Sequence, residues 1–271
     1  MARSNLDLIL AELQQSESNI THFDEGWSQG RSAFGGLSTA FAVTAMNKRV
    51  DSDMPLRSLM VSFIAPIPPG EIKVETHIQR QGKNVTQLSA DIWSGGECCL
   101  QAMGVYGRAR ASINVNPTRE FQPMPRESGI PFSENTHLAP AFVGYFDGGW
   151  AGGGIPFSGS ENHKLGLWAK HQIDMNAFPA ESLVTIADIP PPVLLSRFKK
   201  PPVPSSSLTW SLEFIKPPGE FTIDWFYLEM EMEAAADGYT QQSGLIYSED
   251  GTLCALSRQC MVYFGPAPTG S

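Results

Sequence analysis

The second half of this chain repeats the element order of the first, and this constrains its fold more than any other feature. Ser58-Leu59-Met60-Val61-Ser62 is echoed by Ser207-Leu208-Thr209-Trp210-Ser211. Phe63-Ile64-Ala65-Pro66, followed by Pro68-Pro69-Gly70-Glu71, is echoed by Phe214-Ile215-Lys216-Pro217-Pro218-Gly219-Glu220. Ile92-Trp93-Ser94 then answers to Ile246-Tyr247-Ser248, and Gln101-Ala102-Met103 to Gln259-Cys260-Met261. Each match is short, yet the offset only grows, from 149 (Leu59 to Leu208) through 154 (Ile92 to Ile246) to 158 (Gln101 to Gln259). Loop insertions between duplicated elements produce that drift. A duplicated chain of 271 residues holds two small units in tandem.

Each repeat reads as one helix followed by a meander of strands. Nearly every position from Leu37 to Met46 is small or apolar, which predicts a helix buried on all sides, entered through the turn-forming stretch Gly26 to Gly36. Four runs of β-formers follow, Leu59–Ile64, Glu71–Arg80, Val85–Ser94 and Cys98–Arg108, separated by Pro-Pro-Gly, Gly-Lys-Asn and Gly-Gly turns. In the second half Pro179 to Asp188 supplies the helix, with Pro179 in its first turn and Pro190-Pro191-Pro192 to break it. Leu6, Ile9, Leu10 and Leu13 share one face of a further short helix over residues 5–15, with Ser4 or Asn5 as its cap. The expected division is a first unit over 1–108, a proline-rich connector over 109–145 and a second unit over 146–271. The glycine-rich Gly148 to Gly154 reads as a flexible loop, a turn or a lid near the second unit's groove.

Composition limits the partners. A net charge of −9 argues against nucleic acid and anionic membrane, both of which need a basic surface. No apolar run approaches the length of a membrane span, and residues 1–17 lack the continuous apolar core of a signal peptide. Cys98, Cys99, Cys254 and Cys260 form no metal- or redox-type pair, which fits reduced thiols in a cytoplasmic protein. The histidines His22, His77, His137, His163 and His171 are scattered without metal spacing. No Gly-x-Ser-x-Gly elbow, phosphate-binding loop or dinucleotide fingerprint is present, and no cofactor is expected.

Several segments together resemble one family. They are Trp27 to Gly36 running into a buried helix, Arg80-Gln81-Gly82-Lys83 between strands, Ala187-Asp188 before prolines, and Glu249-Asp250-Gly251 followed by Ser257-Arg258-Gln259. Over about residues 20–265 the chain is similar to the double-hotdog, thioesterase II-like acyl-CoA thioesterases. The resemblance implies an α+β fold of two tandem hotdog units, each a curled antiparallel sheet wrapped around a central helix. It also implies hydrolysis of an acyl-CoA thioester at the groove between the units, and assembly into a homo-oligomer. Such enzymes hold the attacking water with an Asp, a Ser or Thr, and a Gln of the second repeat. Gln259 falls on the Gln position, Thr209 on the Asp position, and Glu231 or Glu233 on the hydroxyl position, so two of the three roles are altered. A hotdog protein that binds acyl thioesters without hydrolysing them is the alternative reading.

Thioester hydrolysis requires a polarised carbonyl and an activated water. Gly35 and Gly36 open the buried helix, where free amides and the helix dipole favour an oxyanion and the lack of side chains permits close approach. The same glycines also suit a tight crossing of the helix under the sheet. Asp188, Glu231 and Glu233 are the contenders for general base. Asp188 ends an apolar helix, where burial raises a carboxyl's pKa, though capping a proline-broken turn is its commoner task. Glu229, Glu231 and Glu233 alternate along one strand and share a face, which in an antiparallel sheet is ordinarily the solvated one. Gln259 can orient water but cannot deprotonate it, and a structural role rivals that one because Gln101 looks like its repeat partner.

Overall fold

A computed structural model describes residues 5–135 and 139–265; Ser4 and His137 lie outside the described residues. Helix α1 (Leu6–Gln15) buries Leu6, Ile9, Leu10 and Leu13, and Asn5 occupies its cap position without a side-chain hydrogen bond. Helix α2 (Gly35–Asn47) is buried at every position from Gly36 to Met46, as its apolar composition predicts. Helix α3 (Pro179–Ala187) carries Pro179 in its first turn and stops at Asp188, two residues ahead of the three prolines.

The first unit supplies β1 (Ile20–Phe23), the two-residue β2 (Ser28–Gln29) and β3 (Ser32–Ala33), then β4 (Leu56–Phe63), β5 (Gly70–Gln81), β6 (Val85–Ser94) and β7 (Glu97–Gly107). The second half supplies β8 (Ile130–Pro131), β9 (Phe146–Gly153), β10 (Lys164–His171), β11 (Ser205–Phe214), β12 (Phe226–Ala236), β13 (Tyr239–Ser248) and β14 (Leu253–Tyr263). Among the described residues, β2 and β3 pair only with each other and the remaining strands form one sheet, in the order β1-β5-β6-β7-β4-β11-β14-β13-β12-β10-β9-β8. Its inner face wraps α2 and α3, which pack on each other. The halves join where β4 and β11 pair antiparallel, Val61 opposite Trp210 and Leu59 opposite Leu212. This is the expected double hotdog, with the order β5-β6-β7-β4 repeated as β12-β13-β14-β11.

A shared irregularity fixes the correspondence between the units. The amides of Ile64 and Ala65 both donate to the Cys99 carbonyl (2.8 and 3.0 Å), and those of Ile215 and Lys216 both donate to the Cys254 carbonyl (2.8 and 3.2 Å). From that point both ladders run without slip to a three-strand row. In the first unit the row is Leu59–Gly104–Leu88, and in the second it is Trp210–Gln259–Gln242. Gln259 therefore corresponds to Gly104. Gln101 is not its counterpart: it stands three positions away in register, an odd displacement that reverses the face. Gln101 is exposed on the outer face, whereas Gln259 is 3% exposed on the inner one.

Gly148 to Gly153 is not a loop but most of β9, an outer strand paired with β10 on one side and β8 on the other. Its glycines fit strands that approach closely, since a Cβ at Gly149 would lie 2.8 Å from the Ile130 carbonyl oxygen. The segment ahead of it packs over the second unit's sheet. There Phe121 contacts Trp168, Tyr227 and Tyr247, and the Trp168 indole N–H donates to the Met124 carbonyl at 2.9 Å.

Candidate active site

Asp188 caps the C-terminus of α3, and the prolines after it carry the chain away at once, so its side chain projects toward the start of α2. There it meets β14. Gln259 Nε2 donates to Asp188 Oδ1 at 2.8 Å, and the Gly36 amide also bonds the carboxylate. Behind Gln259 stands a second buried amide: Gln242 Nε2 donates to Gln259 Oε1 at 3.2 Å, and Gln242 Oε1 accepts from the Val193 amide at 3.0 Å. The Asp188 side chain keeps a partial opening to solvent, but protein surrounds it closely enough for desolvation to dominate its titration. Burial raises its carboxyl to about 7, and the bonds from Gln259 and Gly36 hold it from rising further. A carboxylate half-ionised near neutrality can take a proton from water, and the helix N-terminus beside it can stabilise negative charge on an oxygen.

The two glycines divide the roles proposed for them. A Cβ on Gly35 would lie 2.6 Å from Asp188 Oδ2, so that glycine makes room for the carboxylate. A Cβ on Gly36 would lie 2.6 Å from the Phe34 ring and 3.0 Å from the Thr185 Cα, so that glycine makes room for the buried Phe34 ring and lets α2 and α3 cross closely.

Thr209 and Glu231 are not brought to this place. Thr209 pairs with Cys260 and is exposed on the outer face. With Met60, Gln101, Met103 and Arg258 it lines the outer groove, about 790 Å³, which touches the back of the Gln259 strand on the side away from Asp188. Glu231 also faces outward, as do Glu229 and Glu233, because Met230 and Met232 occupy the inner positions. Lys164 Nζ lies 3.3 Å from Glu229 and 3.8 Å from Glu231, and Ser243 donates to Glu233. The carboxylate that meets Gln259 is Asp188, so the Asp role does not fall to Thr209. His171 is buried against Thr185 and Ser182, and burial lowers its pKa to about 4, leaving a neutral imidazole.

One residue of the site and one on the same face beside it were not found from the sequence. Gln242 is fully buried on a strand face whose other inward positions include Gly244 and Ile246. Correct alignment of the repeats would have revealed it, because Leu88 holds its place in the first unit. Ser207 is the other. An extra residue in β11 between Ser207 and Thr209 reverses the alternation, so Ser207 stands opposite the buried Met261 and shares the inner face with Gln259. Only the bulge turns that hydroxyl inward.

Comparison with known proteins gives the same architecture. Residues 23–107 match the model of the acyl-CoA thioesterase N-terminal domain, and residues 118–263 match that of the C-terminal domain. Among solved structures, a hotdog-fold protein from Alicyclobacillus acidocaldarius is similar at a TM-score of 0.80 and 19% identity, covering 92% of this chain and 93% of its own. A candidate thioesterase II from Thermobifida fusca aligns at 0.79 and 13% identity over 98% of this chain and 99% of its own. An acyl-CoA thioesterase II from Mycobacterium marinum aligns at 0.73 and 16% identity over 95% and 99%. None of the curated proteins matches. The solved structures carry the fold and the domain models carry the family: with more than half its length matched by the C-terminal domain alone, the chain belongs to the acyl-CoA thioesterase family.

Proposed function

We propose that this protein hydrolyses a fatty-acyl or related CoA thioester to the free acid and CoA by direct attack of water. The contact that carries this reading is the 2.8 Å bond between Gln259 and Asp188 at the start of α2. Asp188 takes a proton from a water that Gln259 orients, and the hydroxide adds to the thioester carbonyl. First-turn amides of α2 stabilise the oxyanion. Collapse of the intermediate breaks the C–S bond, and the proton held by Asp188 passes to the departing thiolate. Ser207, on the same face, is the hydroxyl that completes the water's contacts. The family resemblance further supports a homo-oligomeric, cytoplasmic protein whose connector spans 109–145, with oligomeric state measurable by sedimentation.

A free-thiol assay with acyl-CoAs of short, long and aromatic chains tests the reaction. Saturable thiol release with at least one class is expected. Silence across the panel, with a control enzyme active, would sink the hydrolase reading in favour of acyl binding alone. Gln259→Ala should lower turnover at least about tenfold, and Asp188→Asn about a hundredfold or more, with melting temperatures recorded beside them to separate chemistry from folding.

A further inference from the structure

We propose that Gln242 is a positioning residue that sets the polarity of the Gln259 amide and so governs the ionisation of Asp188; the catalytic part of this proposal rests on the hydrolase reading above. A side-chain amide is ambiguous because its oxygen and nitrogen can exchange places by a half-turn. The ambiguity here is removed at one end by a backbone group that cannot turn. The Val193 amide can only donate, so the group of Gln242 that faces it at 3.0 Å must be the oxygen. The Gln242 NH₂ then faces Gln259 at 3.2 Å and requires an oxygen there. That leaves the Gln259 NH₂ toward Asp188 at 2.8 Å, the orientation that supports an ionised carboxylate. The reverse orientation would set an amide oxygen against it.

The duplication supplies an independent argument. At the corresponding row of the first unit the residues are Leu88 and Gly104, where the second unit has Gln242 and Gln259. An apolar side chain therefore fits this strand position of the fold, and packing alone does not require a glutamine. A fully buried amide is costly unless its groups are bonded. Gln242 bonds one fixed donor and one site residue, and its partner Val193 opens the turn that follows Asp188 and the prolines.

The test is Gln242→Leu, which copies the first unit. The titration of Asp188 is followed by ¹³C NMR of its carboxyl carbon, assigned with Asp188→Asn, and turnover is followed against pH. Without a donor to Gln259 Oε1 the amide is free to turn and supports the ionised carboxylate less. The Asp188 midpoint and the acidic limb of the kcat profile should move to higher pH by about half a unit or more, with kcat down about tenfold and KM within about twofold. An unchanged midpoint in folded Gln242→Leu overturns the proposal, whatever the melting temperature does. Should that variant not fold, amide exchange in the wild type decides. Gln242 NH₂ protons protected from solvent support the relay, and protons exchanging as fast as those of free glutamine overturn it. The NMR measurements need no turnover, so a silent thiol assay defeats the hydrolase reading while the relay is judged separately.

Discussion

Asp188 concentrates the residue-scale chemistry, and its raised pKa has consequences in two directions. In its proposed role as base it must be ionised, so kcat/KM should climb with pH through about 7 and level above it, a profile that Asp188→Asn should abolish. For stability the sign is opposite. A carboxyl whose folded pKa lies above its unfolded value contributes most at low pH, and the contribution is lost as pH rises through about 7. The glycines beside it separate chemistry from packing. Gly35→Ala pushes against the movable end of Asp188 and should cost activity about tenfold with little change in Tm. Gly36→Ala pushes against the buried Phe34 ring and the backbone of Thr185 and should cost about 1–3 kcal/mol. Turnover and Tm measured on both variants test the division. Of these residues, Asp188, Gly35 and Gly36 were legible as candidates from their local context, and Gln259 through the family resemblance. That the carboxylate of Gln259 is Asp188, 71 positions away, was not.

At the scale of elements, α2 and α3 are held together at both ends by carboxylates. Asp188 meets the start of α2, and near its end the buried Glu181 accepts from Thr44 Oγ1 and Asn47 Nδ2, each at 2.9 Å. Burial raises the Glu181 pKa, so its ionised form is the strained one, and the stability it gives is lost as pH rises through its folded value. Glu181→Gln keeps the acceptor and removes the charge. Its Tm relative to wild type should therefore improve from pH 5 to pH 8, and a constant difference between those values would count against an ionising Glu181. The place in the first unit that matches Gln259 is tight, because a Cβ on Gly104 would lie 3.0 Å from the Tyr106 ring and 3.1 Å from the Met46 side chain. The strands show where pattern reading stops. Alternation along β12 set Glu229, Glu231 and Glu233 on one face, but only the sheet decided that the face is the outer one. The bulge in β11 then placed Ser207 and Thr209 on opposite faces, though two positions apart in a regular strand they would share one.

For the whole molecule the decisive contact is the β4–β11 seam. Trp210 lies there, 2% exposed, opposite Val61, with its indole N–H donating to Ser257 Oγ at 2.9 Å. Trp210→Ala should cost about 3–5 kcal/mol, and because both units share the seam the loss should lower a single unfolding transition, not split off one unit, as calorimetry can show. That two like units follow one another and that each wraps a buried helix was legible from the chain alone, whereas the burial of Gln242 and Glu181 was not. The legible properties are local: periodicity, turn chemistry and repeated order are written in neighbouring residues. Tertiary structure alone decided which polar residues meet. A bond such as Asp188 to Gln259 depends on strand register, where one residue of slip reverses a face, on the room Gly35 leaves for the carboxylate, and on the close approach of two helices that Gly36 permits.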